Sequence, residues 1–126
     1  MTVKKNLRGL RVLVVEDEAL VSMLLEDALA EIGCQTVSII ANLSEAMDQA
    51  ASLAFDAVVL DVNLNGEQTF PMAELLAGKR IPFIFSTGYG AAGIPDHLNN
   101  VPVLQKPFQE RELEQALSAA LAARVA

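Results

Sequence analysis

A chain of 126 residues that is 52% hydrophobic is long enough to fold as one domain with its own core and too short for two domains. Nine Lys and Arg stand against sixteen Asp and Glu, a net charge of −7, and four of those bases (Lys4, Lys5, Arg8, Arg11) fall in the first eleven residues. What remains is an acidic body that repels phosphate backbones and anionic lipid, which argues against direct nucleic-acid or membrane binding.

Residues 1–10 read as a solvated, basic N-terminal lead-in, and residues 11–126 as the domain. Cys34 is the sole cysteine, so no internal disulfide can form and a reducing compartment is the natural reading. Following Gly33 at the end of a helical pattern, it is expected to be a small, partly buried hydrophobe. No signal-peptide core and no membrane-length apolar run is present, so a cytoplasmic location is expected.

In chain order, Arg11-Val12-Leu13-Val14-Val15 is a buried-strand pattern that stops on Glu16-Asp17-Glu18. Leu20, Val21, Leu24, Leu25, Ala28, Leu29 and Ile32 then recur at the spacing of one helical face, with Gly33 as terminator. Residues 35–40 alternate more loosely and suggest a strand at a sheet edge. Asn42 or Ser44 can cap a helix whose apolar face is Leu43, Ala46, Met47, Ala50 and Ala51.

The run Ala57-Val58-Val59-Leu60 is a third strand buried on both faces, and it ends on the single carboxylate of Asp61. Asn63-Leu64-Asn65-Gly66 is turn chemistry, which keeps Asp61 at a rim. A short helix over 69–76 follows, with Pro71 in its first turn and Gly78 ending it. Residues 81–85 form a fourth strand leading to Ser86-Thr87-Gly88-Tyr89-Gly90. Any helix within 91–100 is short and weakly formed, because Gly93, Pro95 and paired asparagines interrupt it. Residues 101–104 make the fifth strand before Gln105-Lys106-Pro107, and a last helix carries Leu113, Ala116, Leu117, Ala120 and Leu121.

Five strands alternating with helices call for a flavodoxin-like α/β fold: a parallel sheet of order 2-1-3-4-5 with helices on both faces. Ligands in such sheets bind beyond the carboxyl ends of the strands, which is where Glu16, Asp17, Asp61, Thr87 and Lys106 fall. Clustered carboxylates repel unless a cation neutralises them, and Mg²⁺, held by one or two carboxylates and a phosphate, answers that need. Asp61 then becomes a candidate nucleophile toward a phosphoryl donor, with Lys106 and the Thr87 hydroxyl facing the transferred group. His97 stands alone in a polar segment and is read as solvated surface.

Val15-Glu16-Asp17, Asp61, Thr87-Gly88 and Lys106-Pro107-Phe108, in this order, resemble the receiver domain of two-component response regulators. Phe85-Ser86-Thr87-Gly88-Tyr89 is similar to a Phe-Ala-Thr-Gly-aromatic signature of one single-domain group. The resemblance implies Asp61 as phospho-acceptor, Asp17 as direct Mg²⁺ ligand, Glu16 acting through metal-bound water, and the Asn63 backbone carbonyl as a further ligand. It also implies Thr87 as switch hydroxyl, Lys106 as phosphoryl partner, a cis Lys106-Pro107 bond, and a histidine kinase or histidine phosphotransfer protein as donor. Since nothing follows the last helix, a stand-alone regulator is expected, one that relays a conformational change or drains phosphate, with at most slow self-phosphorylation and self-dephosphorylation.

Three departures from that family stand out. Asn65 occupies the place of a proline and Gly66 arrives early, Val103 replaces the usual strand-5 aromatic, and Glu16 replaces the commoner Asp. With Val103 there, signal relay falls to Tyr89 and the broken segment 90–100. A partner face is expected on the segment after strand 4, strand 5 and the last helix, the chain being a monomer or weak homodimer. Two further readings are a receiver-like module that binds partners without phosphorylation, and a haloacid-dehalogenase-like phosphatase. The phosphatase is disfavoured because Asn63 cannot replace the second aspartate as acid/base. A flavin or nucleotide module would need a phosphate-cradling loop where Glu16-Asp17-Glu18 stands.

Overall fold

Two strands at the centre of the sheet are buried along their whole length, as runs of β-branched and aromatic residues demand: β3 (Ala57–Asp61) and β4 (Phe83–Thr87). The structure is a computed structural model that describes residues 7–52, 54–88 and 93–125. With β1 (Arg11–Val15), β2 (Gln35–Ile40) and β5 (Val103–Gln105) these strands form a parallel sheet of order β2-β1-β3-β4-β5. β2 lies at an edge and is half-exposed along most of its length, as its looser alternation suggested.

Alternate residues of each strand supply two cores. Val12, Val14, Val59, Ile84 and Leu104 pack against α1 (Ala19–Ile32) and α4 (Glu110–Val125). Leu13, Val15, Val58, Leu60, Phe83 and Phe85 pack against α2 (Leu43–Ser52) and α3 (Phe70–Gly78). Gly33, at φ +103°, ends α1 as expected: the N–H groups of Gly33 and Cys34 both reach the Leu29 carbonyl. Asn42 caps α2 by accepting the Glu45 N–H at 2.8 Å.

Several expectations need correction. Leu7 and Leu10, within the supposed solvated lead-in, are buried in the first core, and Gly9 N–H donates to the Gly33 carbonyl at 2.8 Å. The described part of that lead-in is thus docked onto the α1–β2 turn. Leu20 and Leu24, placed on the buried face of α1, are 68% and 52% exposed. The buried stripe runs through Ser22, Leu25, Leu29 and Ile32, so at about 100° per residue Leu24 falls outside its flank and Leu20 nearly opposite it. Ala51 on α2 is likewise exposed.

The fifth strand starts at Val103 instead of 101, because Pro102 has no N–H to add to the ladder and only accepts from Phe85 N–H at 2.9 Å. In the fourth crossover the described residues hold one 3₁₀ turn, Asp96–Leu98, and no α-helix. A two-stranded ribbon, Asn63–Leu64 against Glu67–Gln68, stands outside the sheet and was not anticipated. Cys34 is buried with its thiol 3.5 Å from the Leu7 carbonyl, and burial first, then Glu114, pushes that thiol up to about 11. His97 is exposed on Glu74, 3.1 Å away.

Candidate functional site

β1, β3, β4 and β5 are four consecutive strands of the parallel sheet, so their carboxyl ends deliver Glu16 and Asp17, Asp61, Thr87 and Lys106 to one rim. Backbone bonds fix each exit: Glu16 N–H to the Ile40 carbonyl at 2.9 Å, Val62 N–H to Ser86 at 3.0 Å, and Lys106 N–H to Thr87 at 2.8 Å. A cavity of about 500 Å³ opens there, lined by Asp17, Glu18, Asp61, Asn63, Thr87 and Lys106 among others. The Lys106–Pro107 peptide is cis.

One carboxylate oxygen from each of Glu16, Asp17 and Asp61 lies within 4.8 Å of the other two. Among the described residues a single ammonium meets this charge. Lys106 Nζ lies 3.0 Å from Glu16 Oε1, 3.2 Å from Asp61 Oδ2 and 3.6 Å from Glu18 Oε1. Glu16 is 2% exposed, and apart from that ion pair its Oε1 has no hydrogen-bond partner. Burial is the main reason its carboxyl is pushed up to about 7; the Lys106 contact opposes the shift and the Asp61 charge adds to it. Burial alone would lower the Lys106 ammonium, but Glu16 and Asp61 together outweigh that and raise it. An excess of buried carboxylate, all-oxygen donors and an undercoordinated Glu16 oxygen fit a hard divalent cation.

The loop after Asp61 is built to hold these carboxylates. Asn63 N–H lies 3.3 Å from Asp61 Oδ1, and Asn63 Oδ1 accepts Gly66 N–H at 2.9 Å. Asn65 N–H donates to Asp17 Oδ2 at 2.9 Å, and the Asn65 side-chain amide donates to the Ala41 carbonyl at 3.0 Å. Asn65 and Gly66 have φ of +53° and +86°, the pattern of a type I′ hairpin turn, which splices the ribbon in place of the usual proline loop. The dipeptide Asn-Gly is the sequence signal that would have found it. Thr69, wholly buried, closes the loop: its hydroxyl donates to the Asp61 carbonyl and its N–H to the Val62 carbonyl. Sequence reasoning missed Thr69 because it placed that residue inside the helix over 69–76, whereas the helix begins at Phe70.

Thr87 is buried at the cavity wall and pairs with Gln105 across the β4–β5 ladder. Val103 is half-buried opposite Phe85. The ring in this region sits on β4 instead: Phe85 makes edge-to-face contacts with Phe83 and Phe70, centroids 5.5 and 5.9 Å apart. Tyr89 lies outside the described residues. Ser86 Oγ is fully buried without a hydrogen-bond partner. Ser86→Ala is therefore expected to raise unfolding stability by about 1 kcal/mol, read from denaturant midpoints.

The family profile of the response regulator receiver domain matches residues 12–118. The chain belongs to that family. SdrG from Sphingomonas melonis Fr1 is 38% identical, with a TM-score of 0.81 over 90% of this chain and 97% of SdrG. A BeF₃-activated conformation of SdrG aligns with a TM-score of 0.76. The receiver domain of PhyR from Erythrobacter litoralis is 29% identical, with a TM-score of 0.75 over 93% of each chain. The sensory transduction protein LytT of Bacillus subtilis is 33% identical over 116 residues, which cover 86% of this chain and 46% of LytT. This receiver thus spans about half the length of that curated relative. Among the described residues, no helix of the receiver is long and apolar enough to cross a membrane.

Proposed function

We propose that this receiver accepts a phosphoryl group on Asp61 from a histidine kinase or a histidine phosphotransfer protein, in a Mg²⁺-dependent reaction. The observation that carries this reading is the meeting of three carboxylates within 4.8 Å, with Lys106 3.2 Å from Asp61, at the ends of adjacent strands. Asp17, Asp61 and the Asn63 backbone carbonyl would hold Mg²⁺ directly, and Glu16 through water. Once bound, Mg²⁺ offsets the charge that builds on the phosphoryl oxygens.

The chain's own groups do the rest. A carboxylate oxygen of Asp61 forms the new P–O bond as the donor's P–N bond breaks. Lys106 exchanges its contact with Asp61 Oδ2 for a phosphoryl oxygen, and the Thr87 hydroxyl donates to another. Gly88, exposed at the cavity with open space where a Cβ would stand, leaves the approach clear. Thr87 and the segment from Tyr89 onward relay the change, since Val103 cannot act as an aromatic switch. Hydrolysis of the acyl phosphate is slow, so the product is a signal or a phosphate reservoir.

The exposed large hydrophobics among the described residues are Leu20, Met23, Leu24 and Ile39, three of them on the first turns of α1 beside Glu18. The α1 part of that patch begins two residues after Glu18, which lines the cavity, and suits the approach of a phosphodonor helix better than the strand-5 face does. Leu20→Asp with Leu24→Asp is expected to slow transfer from a phosphorylated histidine phosphotransfer protein at least about tenfold while leaving labelling by acetyl phosphate unchanged. Incubation with acetyl phosphate and Mg²⁺ tests the core reading by intact mass. One added phosphoryl group, absent without Mg²⁺ and absent in Asp61→Asn, is expected; labelling that persists in Asp61→Asn would refute it.

A further inference from the structure

We infer that Asn65 is a positioning residue for Asp17: through its backbone N–H it presets the carboxylate that the proposed Mg²⁺ site uses. The inference rests on that functional reading and adds to it a residue with no part in the reaction itself. Two backbone donors two residues apart in the loop after β3 face two of the site's three carboxylates, Asn63 N–H toward Asp61 Oδ1 and Asn65 N–H on Asp17 Oδ2. A carboxylate offers about four lone-pair positions, so one N–H orients the group and leaves the others for a cation. Outer hydrogen bonds of this kind typically change metal affinity by about 10- to 100-fold when removed.

The residue type follows from the geometry. At φ +53° a β-carbon is strained for most residues, and asparagine tolerates that region best after glycine. Its side chain adds a second anchor, the 3.0 Å bond to the Ala41 carbonyl at the end of β2. Asn65 thereby stitches together the loops that follow β1, β2 and β3, and places its N–H 2.9 Å from Asp17 across 48 residues of sequence. A proline here would lack the N–H and could not adopt the turn.

Amide NMR tests this in two arms. Without metal, Asp17→Ala is expected to move the Asn65 amide proton upfield and speed its exchange about tenfold, with the remaining spectrum native. In a Mg²⁺ titration followed by amide shifts, Asn65→Ala, which keeps the N–H but disfavours the left-handed turn that aims it at Asp17, is expected to bind about tenfold more weakly than wild type. Asn65→Gly, which keeps the N–H and the left-handed freedom, should recover most of that loss. An Asn65 amide unmoved in Asp17→Ala overturns the inference. So does wild-type Mg²⁺ affinity in Asn65→Ala, or no recovery in Asn65→Gly. Absence of Mg²⁺ binding by wild type would instead sink the functional reading, whatever the Asn65 amide does.

Discussion

Lys106→Met is expected to destabilise the Mg²⁺-free protein by about 3 kcal/mol near pH 8, measured by urea unfolding. Lys106 Nζ is the cation within 3.2 Å of both Glu16 and Asp61, and both carboxylates are 5% exposed or less. Methionine keeps the length of the side chain and removes the charge, so two buried carboxylates are left facing each other without compensation. The loss should shrink in acid, where Glu16 is protonated, and should be largely reversed by Glu16→Gln in the same chain. A change below about 1 kcal/mol would mean that water already screens the pair and that the site is wetter than its burial indicates.

The second large effect concerns pH. The Glu16 carboxyl is raised from 4.5 to about 7, chiefly by burial. Below the lower value Glu16 is protonated both folded and unfolded and costs nothing. As pH rises toward 7 the unfolded chain loses its proton first, so this group progressively destabilises the fold, by up to about 3 kcal/mol once both states are ionised. The Lys106 shift acts elsewhere, since a raised ammonium loses its contribution only above its own ordinary range. Glu16→Gln should therefore stabilise the Mg²⁺-free protein increasingly between about pH 5 and pH 8, the difference between variant and wild type growing by up to about 3 kcal/mol. Saturating Mg²⁺ should flatten the wild-type dependence, because a cation favours the ionised form. Paired denaturation curves decide it; a variant whose advantage shrinks toward pH 8 contradicts the assignment.

What could be read from the sequence was what one strand and its end determine. The short, β-branched runs before Glu16 and Asp61, each bounded by polar turns, read as buried strands, and the parallel alternation then brings Thr87 and Lys106 to the same rim. Contacts set by tertiary geometry were less legible. Leu20 and Leu24 are apolar residues off the core stripe of α1, and their hydrophobicity was taken for burial. Leu7 and Leu10 sit among four basic residues, so local charge concealed two core side chains. The Asn65-Gly66 turn is legible as chemistry, but its contact with Asp17 is not, because that partner lies 48 residues away. Thr69 shows the same limit: its hydroxyl serves the backbone carbonyl of Asp61, a bond that only the closed loop creates.

The central claim is that Asp61 is a Mg²⁺-dependent phospho-acceptor in a pocket shared with Thr87 and Lys106. Beryllofluoride, which mimics an acyl phosphate, added with Mg²⁺ to wild type and to Asp61→Asn and followed by amide NMR, tests it most directly. The expected result is a set of shifts at Asp61, Thr87, Lys106 and the segment after Thr87 that requires Mg²⁺ and vanishes in the variant. Unchanged spectra at millimolar Mg²⁺, or the same shifts in Asp61→Asn, would contradict it and leave a receiver that binds partners without being phosphorylated.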